Sequence, residues 1–441
     1  MLNKKLEGIY ELIKNRFYLG DETLEVGDKR YEPVALFGIL TLILEGKELI
    51  FGEYGSGKTS SSERISSIIK GLPLEFVQAV TIHGHPEQTE EKIKATLDLG
   101  ALEREGREVV KWKITPYSPI VIIDEINRLP VGKQNMLLDE IDRNIWSYRG
   151  QTLMVKGGKV FFATINYQDV GTTRLIPPLL DRFDIAVETG KLHPVRKRLI
   201  RRGINEEVLK DSYLSKQMIE YISKNSETND AEGISQYIIE MAEKFKAELE
   251  KRLRDEGWDI EIPRMSEIKE IKKEIEGLNI SEDAELFLDY MGQEIYCQKS
   301  LKKDFSRCSG CHYANFLCSG LYSISNRAEY SLFRYAKALA WFMGEGEVTL
   351  EHIFSIMPYI IWHRTTVSNE RLSEARDIEK DCCDEFYAVR ECLREVKKRW
   401  IEHRDFQIEA YIALKDGDYK RLMKISEKID HPFFKALIRE I

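Results

Sequence analysis

Over residues 1–190, short apolar runs alternate with helix-like segments. The runs KELIFG, FVQAVTIHG, PIVIIDE, KVFFATIN and DIAVETG each stop at a polar loop. Such alternation predicts a mostly parallel sheet covered by helices. Its loops lie at the carboxyl ends of the strands, where open α/β sheets bind ligands. After Lys191 strand signals become rare and charged amphipathic stretches take over, as in GISQYIIEMAEKFKAELEKRLRDEGW at 233–258. A Cys-rich segment at 290–320 interrupts that pattern, and NRAEYSLFRYAKALAWF resumes it. The expected division is an α/β core at 1–190, a helical region at 191–365 carrying the Cys-rich insertion, and a helical extension at 366–441. The mixed charge of the extension reads as a solvated helical appendage ahead of a partner-binding or oligomer-contacting hairpin.

The loop after the first run is GEYGSGKTS, residues 52–60. Gly52, Gly57, Lys58 and Thr59 fit G-x-x-x-x-G-K-[ST], with a strand before the loop and the helix-like SSSERISSIIK after it. Glycines at 52, 55 and 57 let backbone N–H groups wrap phosphates, and the N–H groups of a helix starting at Lys58, Thr59 and Ser60 add partial positive charge. Lys58 is placed to reach the β/γ-phosphates and Thr59 to ligate Mg²⁺. A chance match in a chain of this composition is on the order of one in a hundred.

A second buried strand, PIVIIDE, delivers Asp124 and Glu125 at its tip. Asp124 suits the Mg²⁺ shell, and Glu125 suits polarisation of an attacking water. FFATIN at 161–166 ends in Asn166, positioned either to orient that water or to make a turn. LLDRF places Arg182 at a helix end, to act as an arginine finger into a neighbouring subunit's site or to form a surface salt bridge.

Composition adds little against this. The apolar fraction of 43% is ordinary for a globular protein, and the net charge of −8 argues against a uniformly basic, nucleic-acid-coating surface. A charged fraction of 32% fits a heat-adapted source. The longest unbroken apolar run, Val34 to Leu44, is too short to span a bilayer, and the N-terminal segment is charged where a signal peptide would be apolar, so a cytoplasmic protein is expected.

Four of the seven cysteines cluster: Cys297, Cys308, Cys311 and Cys318. In an intracellular chain four thiols in so short a span read as a metal site rather than disulfides. Tetrahedral Zn²⁺ is the commonest occupant. CSGCHYANFLC also resembles Cys runs that hold a [4Fe–4S] cluster, so both metals stay open, in a structural role. His83 and His85 are explained by a loop after a strand, and Cys382, Cys383 and Cys392 by buried helix positions.

The order and wording of these motifs resemble the AAA+ ATPases, and among them the MoxR family of the helix-2-insert clade. GEYGSGKT resembles the Walker A motif, VIIDEINRLPVGKQNMLLDEID the Walker B strand and the helix after it, ATIN sensor 1, and GTTRLIPPLLDRF the arginine-finger segment. SNRAEYSLFRYAKALAWFMGEGEVTLEHIFSIMPYIIWHR resembles the lid, with Arg327 at the sensor 2 position. The resemblance covers 30–190 and 320–365. It implies a three-layer αβα core, an all-α lid, and a homo-oligomeric ring, a hexamer, with ATP and Mg²⁺ bound between subunits. It also implies that 85–119 is the helix-2 insert and that a hairpin over 148–161 precedes sensor 1, both bordering the pore.

Residues TRLIPPLL depart from the family's usual pattern and leave Arg174 as a competing finger. The Cys-rich insertion and the C-terminal extension lie outside the common family core. DEINR is shared with McrB-like GTPases, so GTP stays beside ATP.

The favoured expectation is an ATP-hydrolysing remodelling or assembly factor for a protein client, by resemblance one with a von Willebrand factor A domain. One alternative is a nucleic-acid-dependent motor using hairpin cations Arg149, Lys156 and Lys159. The other is a weakly hydrolysing nucleotide switch that works as a scaffold through its C-terminal helices.

Overall fold

The structure, a computed structural model, describes the chain apart from residues 1, 19, 21–23, 107, 167–174, 191–193, 195–196, 198–200, 202–203, 227–229, 298–304, 309, 379–382 and 439–441; residues 104 and 105 are described by backbone alone. The chain divides into two compact units, Met1–Gly277 with Trp341–Gly344, and Leu278–Ala340 with Glu345–Ile441.

The strands of the first unit are β1 (Leu24–Val26), β2 (Lys29–Tyr31), β3 (Lys47–Gly52), β4 (Ile82–His83), β5 (Ala95–Leu97), β6 (Val110–Trp112), β7 (Ile120–Asp124), β8 (Ile145–Tyr148), β9 (Gln151–Met154), β10 (Val160–Asn166) and β11 (Ile185–Thr189). Five of them form one parallel sheet in the order β11-β3-β10-β7-β4. The inner strands are apolar almost throughout, as expected of a sheet covered on both faces. Four of the five apolar runs are sheet strands as the pattern predicts. In the other, FVQAVTIHG, only Ile82–His83 is strand; Leu74–Ala79 is helical, started by Pro73 at its N-cap, with Leu74, Phe76 and Val77 buried. Short apolar runs fit a buried helix and a buried strand equally well.

The helix Pro33–Leu44 has all of its residues buried. Its N-terminus is fixed by Pro33 and by Glu32 Oε2, which accepts from the Ala35 N–H at 2.8 Å; Glu45, in a left-handed conformation, ends it. Beside it, Glu48 of β3 is fully buried, and burial pushes its carboxyl up to about 8, with the Thr41 hydroxyl opposing. A carboxyl whose folded pKa lies above its unfolded value stabilises below the unfolded value, and that stability drains as pH rises toward the folded one. Glu48→Gln is therefore expected to match the parent near pH 5 and to exceed it near pH 8 by about 3 to 5 kcal/mol. Urea midpoints at the two pH values check this.

Two antiparallel hairpins are inserted into the core, β5–β6 between β4 and β7, and β8–β9 between β7 and β10. The second spans 145–154, a few residues earlier than the expected 148–161, because Arg149 (φ 45°) and Gly150 (φ 76°) make its two-residue turn. Tyr148 donates its hydroxyl to Glu91 Oε1 at 3.0 Å, Gln151 donates to the Glu108 carbonyl at 3.1 Å, and Lys94 forms a buried ion pair with Glu140, so the two insertions are bonded to each other and to the core.

The second unit is helical, with β12 (Asn279–Ile280) and β13 (Glu347–Val348) as its short parallel pair. The helices Asn369–Ile378, Asp384–Lys415, Tyr419–Lys428 and Pro432–Leu437 confirm the helical reading of the C-terminal stretch. At its centre the carboxylate of Glu294, wholly buried on the helix Glu282–Ile295, accepts from Arg399 Nε at 2.7 Å and Nη2 at 2.5 Å, from His431 Nε2 at 3.2 Å and from the Leu317 N–H at 3.2 Å. Tyr290 stacks on His431 at 4.0 Å. Together an α/β core with a parallel sheet, an all-α lid and C-terminal helices make up the fold, as expected from the sequence.

Candidate nucleotide site

The parallel registers bring the carboxyl ends of the strands to one edge. Gly52 of β3 lies opposite Asn166 of β10 on one side and Thr189 of β11 on the other, and His83 of β4 lies opposite Asp124 of β7. Gly52 has φ 153°, and a Cβ there would lie 1.9 Å from Thr189 Oγ1, so no larger residue fits at the point where the chain leaves the sheet. Gly55 (φ 73°) and Gly57 (φ 81°) turn the loop, and Gly57 caps the helix Lys58–Lys70. The first N–H groups of that helix, from Lys58, Thr59 and Ser60, are those an α-helix leaves without intrahelical acceptors, and they face the loop's anion cradle.

Lys58 Nζ folds back into this loop and donates to the carbonyls of Gly52 at 3.0 Å and Glu53 at 2.6 Å. Burial pushes the amine down to about 8, against the pull of Asp124, Glu125 and Glu53. An anion entering the loop would favour the charged amine. Asp124 Oδ1 accepts from Thr164 Oγ1 at 2.8 Å and from Thr59 Oγ1, and His83 Nδ1 stands 3.4 Å from Oδ2. The touching hydroxyl of Thr59 and carboxylate of Asp124 are hard oxygen donors of the type Mg²⁺ takes beside nucleotide phosphates, so this pair fits that ion. Glu125, at φ 51°, donates its N–H to Thr164 Oγ1 at 2.8 Å, and its Oε1 accepts from Asn166 Nδ2. The buried amide of Asn127 donates to the Asn166 carbonyl at 3.1 Å. Gly52, Gly55, Gly57, Lys58, Thr59, Asp124, Glu125 and Asn166 thus gather in one place.

Two participants escaped the sequence reading. Thr164 bridges Asp124 and Glu125, and its signal is the lone hydroxyl in the apolar strand FFATIN. Arg128, in DEINR, stands 2.6 Å from Glu125.

The arginines fare differently. Arg182 Nη1 donates to the Pro178 carbonyl at 2.7 Å, and its Nε lies 3.8 Å from Asp142, so within its own chain it makes the salt bridge weighed against the finger role. Arg174 lies outside the described residues. Arg327 belongs to the second unit, exposed on the first turn of the helix Asn326–Met343.

The structure does not show the expected four-cysteine metal centre among the described residues. Among the described residues no three His, Cys, Asp or Glu side chains gather as a metal-holding group, and Cys297, Cys308, Cys311 and Cys318 form no disulfide. Cys308 and Cys311 bracket a turn closed by the Cys311 N–H on the Cys308 carbonyl. Cys318 is buried on the helix Leu317–Gly320 with its thiol directed at the Tyr313 carbonyl 3.7 Å away. The placement of the helix thus leaves its cysteine in a different environment from the turn's pair. Neither Zn²⁺ nor an iron–sulfur cluster is supported there.

Lys159, expected among the cations of the pore hairpin, is likewise buried. Its Nζ donates to the Pro116 carbonyl at 2.6 Å and lies 4.8 Å from the Trp146 ring centroid, and desolvation lowers its pKa well below the usual lysine range.

Residues 48–183 match the family of the AAA domain, dynein-related subfamily, and residues 318–381 match the AAA lid domain. No curated protein matches the chain. Among solved structures the chain is similar to a protein from Cytophaga hutchinsonii provisionally described as an ATPase, at 18% identity and a TM-score of 0.55, over 90% of this chain and 94% of that one, a likeness of fold. Residues 48–183, from β3 to Phe183, thus carry an AAA ATPase domain over the site, and residues 318–381 carry an AAA lid domain.

Proposed function

We propose that this ATPase is a MoxR-like remodelling or assembly factor, working as a homo-oligomeric ring, a hexamer, on a protein client in the cytoplasm. One observation carries the choice of client. Of the three hairpin cations that a nucleic-acid track would need, Lys159 is buried under the hairpin, which leaves Arg149 at the turn and Lys156, the latter with the carboxylate of Glu232 beside it at 3.2 Å. A net charge of −8 supports the same choice. A von Willebrand factor A domain is the client class that the family resemblance suggests. Among the described residues no helix is long and apolar enough to cross a membrane.

In the proposed chemistry the loop and Lys58 hold the triphosphate. The carboxylate of Glu125 takes the proton of the water that attacks the γ-phosphorus, and the bond to the leaving diphosphate breaks. Asn166 orients that water. Thr59 and Asp124 would hold Mg²⁺, which neutralises phosphate charge when bound. Arg182 from a neighbouring copy and Arg327 of the lid are proposed to meet the developing charge; the first must leave Asp142 to do so.

The test is ATP turnover with and without single- and double-stranded DNA at low and high salt. Turnover indifferent to DNA, together with a protein retained by the Glu125→Gln variant in the presence of ATP, is the expected result. Stimulation by DNA that falls steeply with salt and is lost in Arg149→Ala would overturn the protein-client reading in favour of a nucleic-acid motor.

A further inference from the structure

Thr189 ends the edge strand β11 opposite Gly52, and it is buried. The strand is fixed at its start as well, where Asp184 Oδ2 accepts from the Lys47 N–H at 2.9 Å and the Asp184 N–H donates to the Lys47 carbonyl at 2.8 Å. Because Gly52 carries no Cβ, the Thr189 hydroxyl comes close to the phosphate loop: Oγ1 lies 2.9 Å from the Phe51 carbonyl and 2.7 Å from Ser56 Oγ. Ser56 Oγ lies in turn 2.8 Å from the Glu53 carbonyl and 3.4 Å from Lys58 Nζ. Two hydroxyl protons thus serve three contacts. Either Ser56 donates to Thr189 and Thr189 to Phe51, or Thr189 donates to Ser56 and Ser56 to Glu53. Both protons on carbonyls would set two oxygen lone pairs against each other at 2.7 Å, so the Ser56–Thr189 bond is made in either favourable arrangement. Ser56 stands between Gly55 (φ 73°) and Gly57 (φ 81°), neither of which has an atom within 4 Å of where a Cβ would be.

We infer that Thr189 is a positioning residue for the nucleotide: through Ser56 it ties the tip of the phosphate loop to the sheet, so that the loop's N–H groups are already aimed when the triphosphate arrives. The inference rests on the loop from Gly52 to Thr59 being the nucleotide site. Lys58 cannot be this tie in the filled loop, since a phosphate draws its amine off the carbonyls of Gly52 and Glu53. Thr189 stands on the sheet and holds Ser56 whether the amine is on the carbonyls or on a phosphate. Without that bond a segment flanked by two glycines, the residues with most freedom to lose, is ordered by the ligand itself, and affinity falls by the cost of ordering it. The chemical step is left alone. Glu125 and Asn166 are bonded to Thr164 and to each other, away from Ser56 and Thr189.

The experiment is steady-state ATP hydrolysis by the full chain, with equilibrium binding of a fluorescent ATP analogue and Tm in parallel. The variants are Thr189→Ala, Thr189→Ser, Ser56→Ala, Ser56→Ala with Thr189→Ala, and Lys58→Ala. Thr189→Ala is expected to raise KM and the analogue's Kd about three- to tenfold, the worth of one neutral hydrogen bond, with kcat within about twofold of the parent. Tm should move by less than about 4 °C. Thr189→Ser differs from Thr189→Ala by the hydroxyl alone and should return both constants to within about twofold of the parent. The double variant should match Ser56→Ala, because the two changes remove the same bond. Parent KM and Kd in Thr189→Ala, a loss confined to kcat, a Thr189→Ser variant as weak as Thr189→Ala, or fully additive effects in the double variant would each overturn the inference. Weak binding by Lys58→Ala beside parent binding by Thr189→Ala sinks the inference and leaves the site reading standing, whereas parent binding by Lys58→Ala overturns both.

Discussion

Glu125→Gln is expected to lower ATP turnover by about 10²- to 10⁴-fold, the range that loss of a general base produces. The amide keeps the length of the side chain and an oxygen to accept from Asn166, but it has no basic lone pair for the water's proton. Nothing that holds the phosphates changes. Lys58 keeps its carbonyl partners, Gly52 its place against Thr189, and Asp124 its hydroxyl ligands Thr59 and Thr164. Nucleotide affinity should therefore stay within about threefold of the parent, which separates a lost base from a lost binding loop. Turnover and equilibrium binding of a fluorescent ATP analogue give the two numbers. Full turnover in this variant would mean that the water is activated elsewhere.

The largest loss of stability is expected from Arg399→Ala. Burial alone would raise the Glu294 carboxyl, but the Arg399 and His431 hydrogen bonds outweigh it and leave it below the usual carboxylate range. Removing the guanidinium strands a buried charge, at a cost of about 3 to 5 kcal/mol. Replacing both partners, as Glu294→Gln with Arg399→Met, should recover much of that loss, because an uncharged pair of similar volume needs no desolvated charge. The pH dependence has a definite sign. With its folded pKa lowered, Glu294 stabilises above its unfolded value, and that stability is lost as pH falls through the range below about 4.5. Desolvation likewise lowers His431, with Glu294 pulling the other way, so the neutral imidazole is favoured and stability declines below about pH 6.5. His431 Nδ1 accepts from the Phe433 N–H at 3.2 Å, and protonation there breaks the cap of the helix Pro432–Leu437. Urea unfolding of parent, single and double variants from neutral to acid pH measures all of this. A cost under about 1 kcal/mol for Arg399→Ala would show that the carboxylate finds water or another partner.

Much of the site could be read in the chain because its chemistry depends on local spacing. GEYGSGKTS fixes a loop between strand and helix, and the pairing of β3 with β10 sets Asn166 opposite Gly52. Thr164 and Arg128 could not be assigned in the same way. A hydroxyl in a buried strand and an arginine three residues after an acid are ordinary surface or core features until the sheet places them on Asp124 and Glu125. Long-range burial hid the fate of Lys159, whose sequence neighbours KGGK look solvated while its side chain is covered by Trp146 and Pro116. The cysteines' spacing reads as a metal site in the sequence, while among the described residues the helix Leu317–Gly320 buries Cys318 and the turn keeps Cys308 with Cys311. FVQAV read as strand because a buried run of that length has no periodicity to separate helix from strand.

Steady-state ATP hydrolysis by the purified chain, compared with Lys58→Ala, tests the central claim most directly. Lys58 is buried against the Gly52 and Glu53 carbonyls at the mouth of the loop, so its removal strikes the phosphate cradle and leaves the sheet untouched. The account predicts measurable turnover by the parent and loss of nearly all of it in the variant, at unchanged Tm. Equal turnover by parent and Lys58→Ala would place hydrolysis outside this site and contradict the account.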